Sequence, residues 1–164
     1  MSTQIDSNPL VDPVVDPVAF TMGHVGLNVT DLDRSLAFYR AAFGFDLLGE
    51  GEDGDRRWAF LGAGGQLVLT LWQQAVGHFD AGSAGLHHLA FEVASIDQVR
   101  TAETRLRSLD APFAYDGVVP HAEGASSGGI FFEDPDGTRL EIFSATGVDG
   151  APAPHAAAPS CGLF

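Results

Sequence analysis

Lysine does not occur among the 164 residues; all 8 basic residues are arginine. Chemistry that rests on a lysine amine, such as a Schiff base or a phosphate-gripping P-loop, is thereby excluded. Positive charge is scarce altogether. With 22 acidic residues the formal net charge is −14, so the clustered cations that phosphate backbones need are missing and nucleic acid is excluded as a partner. Cysteine occurs once, at Cys161, which rules out an internal disulfide and any CxxC metal or redox motif. No apolar run approaches the roughly 18 residues that suggest a membrane span. The N-terminal MSTQIDSNPLVDPVVDP lacks the basic start and apolar stretch of a secretory signal. The expectation is a soluble, cytoplasmic protein without a membrane partner.

What is present reads as one folded domain with an appendage at each end. Hydrophobic residues make up 45% of the chain, and its length suits one core rather than two. Residues 1–19 repeat Val-Asp-Pro, and proline every few positions prevents a helix or a central strand, so this stretch reads as a flexible extension. Residues 146–164 are rich in Ala, Pro and Gly and read as a flexible or loosely docked tail, with the more apolar Gly162-Leu163-Phe164 at its end.

The domain between them, residues 20–145, contains a repeat. HVGLNVTDLD (24–33) aligns without a gap on HLAFEVASID (88–97), at an offset of 64 residues: histidine on histidine, and Val25, Leu27 and Val29 on Leu89, Phe91 and Val93. Two copies are too few for a solenoid. Module one spans about 20–75 and module two about 84–145. Each starts with an alternating strand, then a cap (Asp31 in one; Ser95 with Gln98 three positions on in the other), then an amphipathic helix. Leu32, Leu36, Tyr39 and Phe43 share a face of the first helix, which Gly44 ends; Val99, Ala102, Leu106 and Leu109 share a face of the second. Strand-like runs follow at 45–49, 56–62 and 66–72, and again at 112–119, 129–133 and 138–144, the last two joined across Asp134-Pro135-Asp136-Gly137. The predicted fold is α+β: paired βαβββ modules forming a curved, mainly antiparallel, cup-shaped sheet backed by helices.

Alternation then sorts the polar residues. If Val25, Leu27 and Val29 pack on helices, His24, Gly26 and Asn28 turn the other way; the same logic exposes His88, Ala90 and Glu92, and Arg139, Glu141 and Phe143. His24, His88 and Glu141 thus share the helix-free face. Two imidazoles and a carboxylate are the ligand set of a facial triad, with positions left open for substrate, water or dioxygen. His87 is expected to face the helices with Leu89 and Phe91, His78 and His155 to lie in loop and tail, and His121 to be a candidate acid or base on a loop. Trp58, Phe60, Trp72, Phe131 and Phe132 either wall a pocket or fill the core.

The segments HVGLNVTDLDRSLAFY, GLHHLAFEV and FFEDPDGTRLEIF resemble the three recurring motifs of the vicinal oxygen chelate superfamily, over about 125 residues. That superfamily includes glyoxalase I, extradiol dioxygenases, fosfomycin-resistance thiol transferases, methylmalonyl-CoA epimerase and bleomycin-binding proteins. The resemblance implies a cup around one divalent metal ion, Fe, Mn or Zn, held by His24, His88 and Glu141. In glyoxalase I and the epimerase the last strand of the first module adds a ligand. Here that strand, Leu67–Leu71, has none, which resembles the dioxygenase and thiol-transferase branches. His121, Ile130, Asp134, Pro135, Gly137 and Glu141 follow the extradiol pattern, with Phe131 where that pattern has tyrosine. The resemblance implies an enzyme acting on a small substrate chelated through vicinal oxygens, by dioxygenase, isomerase or lyase chemistry, and a homodimer. The alternative is a metal-free protein that sequesters a drug or metabolite, as bleomycin resistance proteins do.

Overall fold

The computed structural model describes residues 18–155 and 157–162; the predicted N-terminal extension lies outside the described residues up to residue 17. The chain runs β1 (Val25–Val29), α1 (Leu32–Phe43), β2 (Asp46–Asp53), β3 (Arg56–Ala63), β4 (Gln66–Gln73), β5 (Leu89–Glu92), α2 (Ile96–Arg107), β6 (Val119–Pro120), β7 (Gly128–Glu133) and β8 (Arg139–Ser144). This is the α+β, twice-repeated βαβββ plan that the sequence predicts. Each module folds into its own four-stranded sheet, in the orders β1-β4-β3-β2 and β5-β8-β7-β6. In each, the first strand runs parallel to the last and the other neighbours are antiparallel. Among the described residues, no helix is long and apolar enough to cross a membrane.

The helix ends follow the local chemistry. Asp31 caps α1 by accepting from the Arg34 amide, and Gly44, at φ 71°, takes the left-handed position that closes it. Ser95 caps α2 by accepting from the Gln98 amide, while the Gln98 side chain reaches back to the Ala94 amide. Leu27, Val29, Ala59, Leu61, Leu69 and Leu71 of the first sheet join Ile130, Phe132, Leu140 and Ile142 of the second in one core, with Leu32, Tyr39, Val99 and Leu106 of the helices. The alternation thus resolves as predicted: the apolar set of each strand faces the helices and the other set faces away.

Three local expectations are corrected. Leu109 is exposed, because α2 stops at Arg107 and the chain turns away through Asp110 at φ 54°. The strand expected over 112–119 survives as a single bridge, Phe113 to Phe132, and the two-residue β6; between them the chain turns at Asp116-Gly117, with Gly117 at φ 86°. His87 lies before β5 and is exposed, its ring against that of His88 rather than against the helices.

The turn between β7 and β8 ties the modules together. Asp134 accepts from the Asp136 and Thr138 amides through one oxygen and from the buried Tyr39 hydroxyl of α1 through the other, at 2.8 Å each. Asp136, 2% exposed, accepts from the Thr30 amide and hydroxyl and pairs with Arg34. A carboxylate this deep survives because donors surround it.

Candidate functional site

The register between strands decides what each sheet shows on its helix-free face. In module two, Ala90 lies beside Glu141, Phe131 beside Glu141 on the other flank, and Gly129 beside Phe143. In module one, the same places in the weave hold Gly26 beside Thr70, Phe60 beside Thr70, and Trp58 beside Trp72. Thr70 is therefore the counterpart of Glu141, and Trp58 of Gly129.

Glu141 is only 3% exposed. His121 Nε2 stands 2.6 Å from one of its oxygens and His88 Nε2 stands 3.4 Å from the other. With Nε2–H donating to the carboxylate, a neutral His121 ring accepts at Nδ1 from the Ser127 hydroxyl, 3.0 Å away. Burial is the largest influence on His88 and holds its pKa below the ordinary histidine value, against the pull of Glu141. A neutral imidazole keeps the lone pair that a metal ligand needs.

Of the predicted trio, the structure brings His88 and Glu141 together. His24 is exposed and stands apart, at the mouth of a groove of about 380 Å³ that runs from Gly23, His24 and Val25 past Val68 to Leu89 and Ala90. Among the described residues, no three His, Cys, Asp or Glu side chains are set to hold a cation. His121, predicted as a candidate acid or base, stands closer to Glu141 than His88 does. Sequence reasoning missed Ser127, which fixes the far side of that ring; a lone loop serine carries no spacing signal.

The aromatic residues divide. Phe132 is core. Trp58, Phe60 and Trp72 pack on the helix-free face of the first sheet, with ring centroids 4.6 to 6.5 Å apart. Trp72 donates from Nε1 to Thr70 Oγ1 at 3.0 Å, and Trp58 lies so closely over Gly51 that a Cβ there would come within 2.4 Å of its ring. β4 extends to Gln73, but that side chain accepts from the Leu32 amide and so serves the start of α1. The absence of a ligand at Leu67–Leu71 thus has a structural counterpart: Thr70, on the face in question, is engaged with tryptophan.

Residues 21–142 match the family described as the Glyoxalase/Bleomycin resistance protein/Dioxygenase superfamily. The chain is 32% identical over 132 residues to a lactoylglutathione lyase of Salmonella typhimurium, covering 74% of this chain and 90% of that protein. It is 28% identical over 126 residues to a catechol-2,3-dioxygenase of Bacillus subtilis, covering 75% of this chain and 41% of that one. Among solved structures, a glyoxylase/bleomycin resistance protein/dioxygenase domain from Frankia sp. EAN1pec superposes with a TM-score of 0.67 at 28% identity, over 77% of this chain and 98% of that one. The fosfomycin resistance protein FosX of Listeria monocytogenes, solved with Mn(II) and sulfate, gives 0.60 at 20% identity over 79% and 95%, a likeness of fold alone.

Proposed function

Because the chain belongs to the glyoxalase/bleomycin resistance protein/dioxygenase superfamily, we propose that it is a divalent-metal-dependent enzyme acting on a small substrate held through vicinal oxygens. The observation that carries this reading is Glu141, a carboxylate buried on a helix-free face with an imidazole nitrogen directed at each oxygen. These are the donors an Fe, Mn or Zn ion takes, so the residues fit the metal that the family implies. His88 and Glu141 would hold it, with His24 completing the set across the groove from β5. When bound, such an ion supplies Lewis acidity toward the oxygens of the substrate.

The chain's own residues divide the remaining work. His121, fixed at Nδ1 by Ser127, presents Nε2 to the centre, and that is the atom at which it would give or take a proton. Trp58, Phe60 and Trp72 offer an apolar wall suited to a flat substrate and exclude water from that side. The reaction class, dioxygenation, isomerisation or lyase chemistry, follows the identity of the metal and substrate. A homodimer in a soluble, cytoplasmic setting is the proposed state.

The aromatic wall is also what a metal-free, ligand-sequestering protein would present. Elemental analysis of purified protein, beside His88→Ala and Glu141→Ala, separates the two readings. About one Fe, Mn or Zn per chain, lost in both folded variants, is the expected result. A wild type that takes up no metal on reconstitution rejects the enzyme reading and leaves sequestration.

A further inference from the structure

The tail beyond the family match is built into the site. Val148 is buried, and its amide donates to the Ser126 carbonyl at 3.0 Å; the Ala153 amide donates to the Glu123 carboxylate at 3.0 Å. The chain then ends its described course in a 3-10 turn, Ser160–Gly162. Ser160 is fully buried. Its amide donates to the His121 carbonyl at 2.8 Å, its hydroxyl donates to the Pro120 carbonyl at 2.6 Å, and its own carbonyl accepts from the Tyr115 hydroxyl at 3.0 Å. Every polar group of this serine is thus spent on two residues, Pro120 and His121, and on the tyrosine that clamps it.

Those two residues need the support. β6 is only Val119–Pro120, paired to β7 at two positions, and proline has no amide to add. Ser160 supplies a donor to each of the two carbonyls, Pro120 and His121. Phe131 lies beside the same contact: it flanks Glu141 on the helix-free face and is fully buried, with the Tyr115 ring edge-on at 5.5 Å and the His121 ring at 6.3 Å.

We propose that Ser160 is a positioning residue: the C-terminal turn, clamped by Tyr115, fixes the backbone of Pro120 and His121 and so sets the direction in which the His121 ring meets Glu141. The proposal rests on the role given to His121 above, but its test needs neither metal nor turnover. In metal-free protein the ring nitrogens of His121, assigned with His121→Gln, report tautomer and order by NMR. Truncation after Pro159, Ser160→Ala and Tyr115→Phe should each move the His121 signals toward a mobile imidazole in tautomeric exchange, while those of His24 and His78 stay in place. Cys161, the sole cysteine and next to Ser160, gives a second reading. In the intact chain it should react with a thiol reagent about tenfold or more slower than in urea, and truncation short of the turn is unneeded for that comparison, since Tyr115→Phe should release it.

Unmoved His121 signals in the variants would overturn the proposal and leave the tail as packing. So would a truncation that raises Mn(II) affinity without moving those signals, because the tail would then be a cover over the site. If the truncated chain does not fold, the two hydroxyl deletions decide between these outcomes. Absence of metal binding in every form would sink the enzyme reading and leave this one standing or falling on the ring signals.

Discussion

The two sheets share a weave and differ in what the weave displays. Where module two places Glu141, module one has Thr70, engaged by Trp72. Where module one has Trp58 on its face, module two has Gly129, at which a Cβ would come within 2.3 Å of the Ile142 carbonyl. The large ring makes the first sheet a wall. In module two the adjacent residue, Gly128, also lacks a side chain, and a Cβ there would come within 2.4 Å of the Val119 carbonyl. Its absence lets β6 pair closely with β7 just before His121. Backbone topology is common property, and the division of labour is written in a few inward positions of each sheet.

The harshest way to break that division is to put the carboxylate on both sides. Thr70→Glu buries an acid among rings with no cation near, and should cost about 2–4 kcal/mol of stability in urea unfolding. Unchanged stability, or tighter metal uptake through the new carboxylate, would show that the first sheet can add a ligand to the same centre and that the division is not fixed. A milder test removes part of the wall. Trp72→Ala, at a side chain 37% exposed, should cost about 1 kcal/mol in the same assay and leave metal content unchanged, while weakening a flat apolar ligand. If metal content falls as is expected for Glu141→Ala, wall and centre are not separate.

The smallest effect concerns the latch that joins the modules. Burial, the largest influence, raises the pKa of Asp134 above its ordinary value, despite the Tyr39 hydroxyl and the Thr138 and Asp136 amides that lower it. The folded protein therefore holds this proton more tightly than the unfolded chain does. The contribution is complete below the unfolded pKa and is lost as pH rises through the folded one. Urea midpoints should favour wild type over Asp134→Asn more at pH 4 than at pH 6; a difference that grows with pH instead would refute the assignment.

The fold was legible in the sequence because the repeat, the caps and the strand alternation are local signals, and each agrees with the core that forms. His88 and Glu141 were legible for the same reason: alternation turns both off the helices onto neighbouring strands. What alternation does not carry is distance between sheets, and so the place of His24 across the groove was not readable. Nor was the hold of Ser127 on His121, or the docking of a tail whose Ala- and Pro-rich composition signals looseness. Ser160 is anchored through hydrogen bonds to residues 40 and 45 positions away, and no window along the chain contains both partners. Leu109 failed for the opposite reason: its periodicity continues past the point where the helix stops.

The aspartate latch also sets an order of events during synthesis. Thr30 and Asp136 are separated by 106 residues, so at a ribosomal pace of about 5–20 residues per second the start of α1 waits roughly 5–20 s for the turn that pairs it. For that interval the nascent first module has Arg34 without its carboxylate partner and Tyr39 without its acceptor, and the part of its core that packs on module two is uncovered. A chaperone binding early should therefore meet module one exposed, and the emergence of the turn from Asp134 to Thr138 acts as the release signal that joins the two modules.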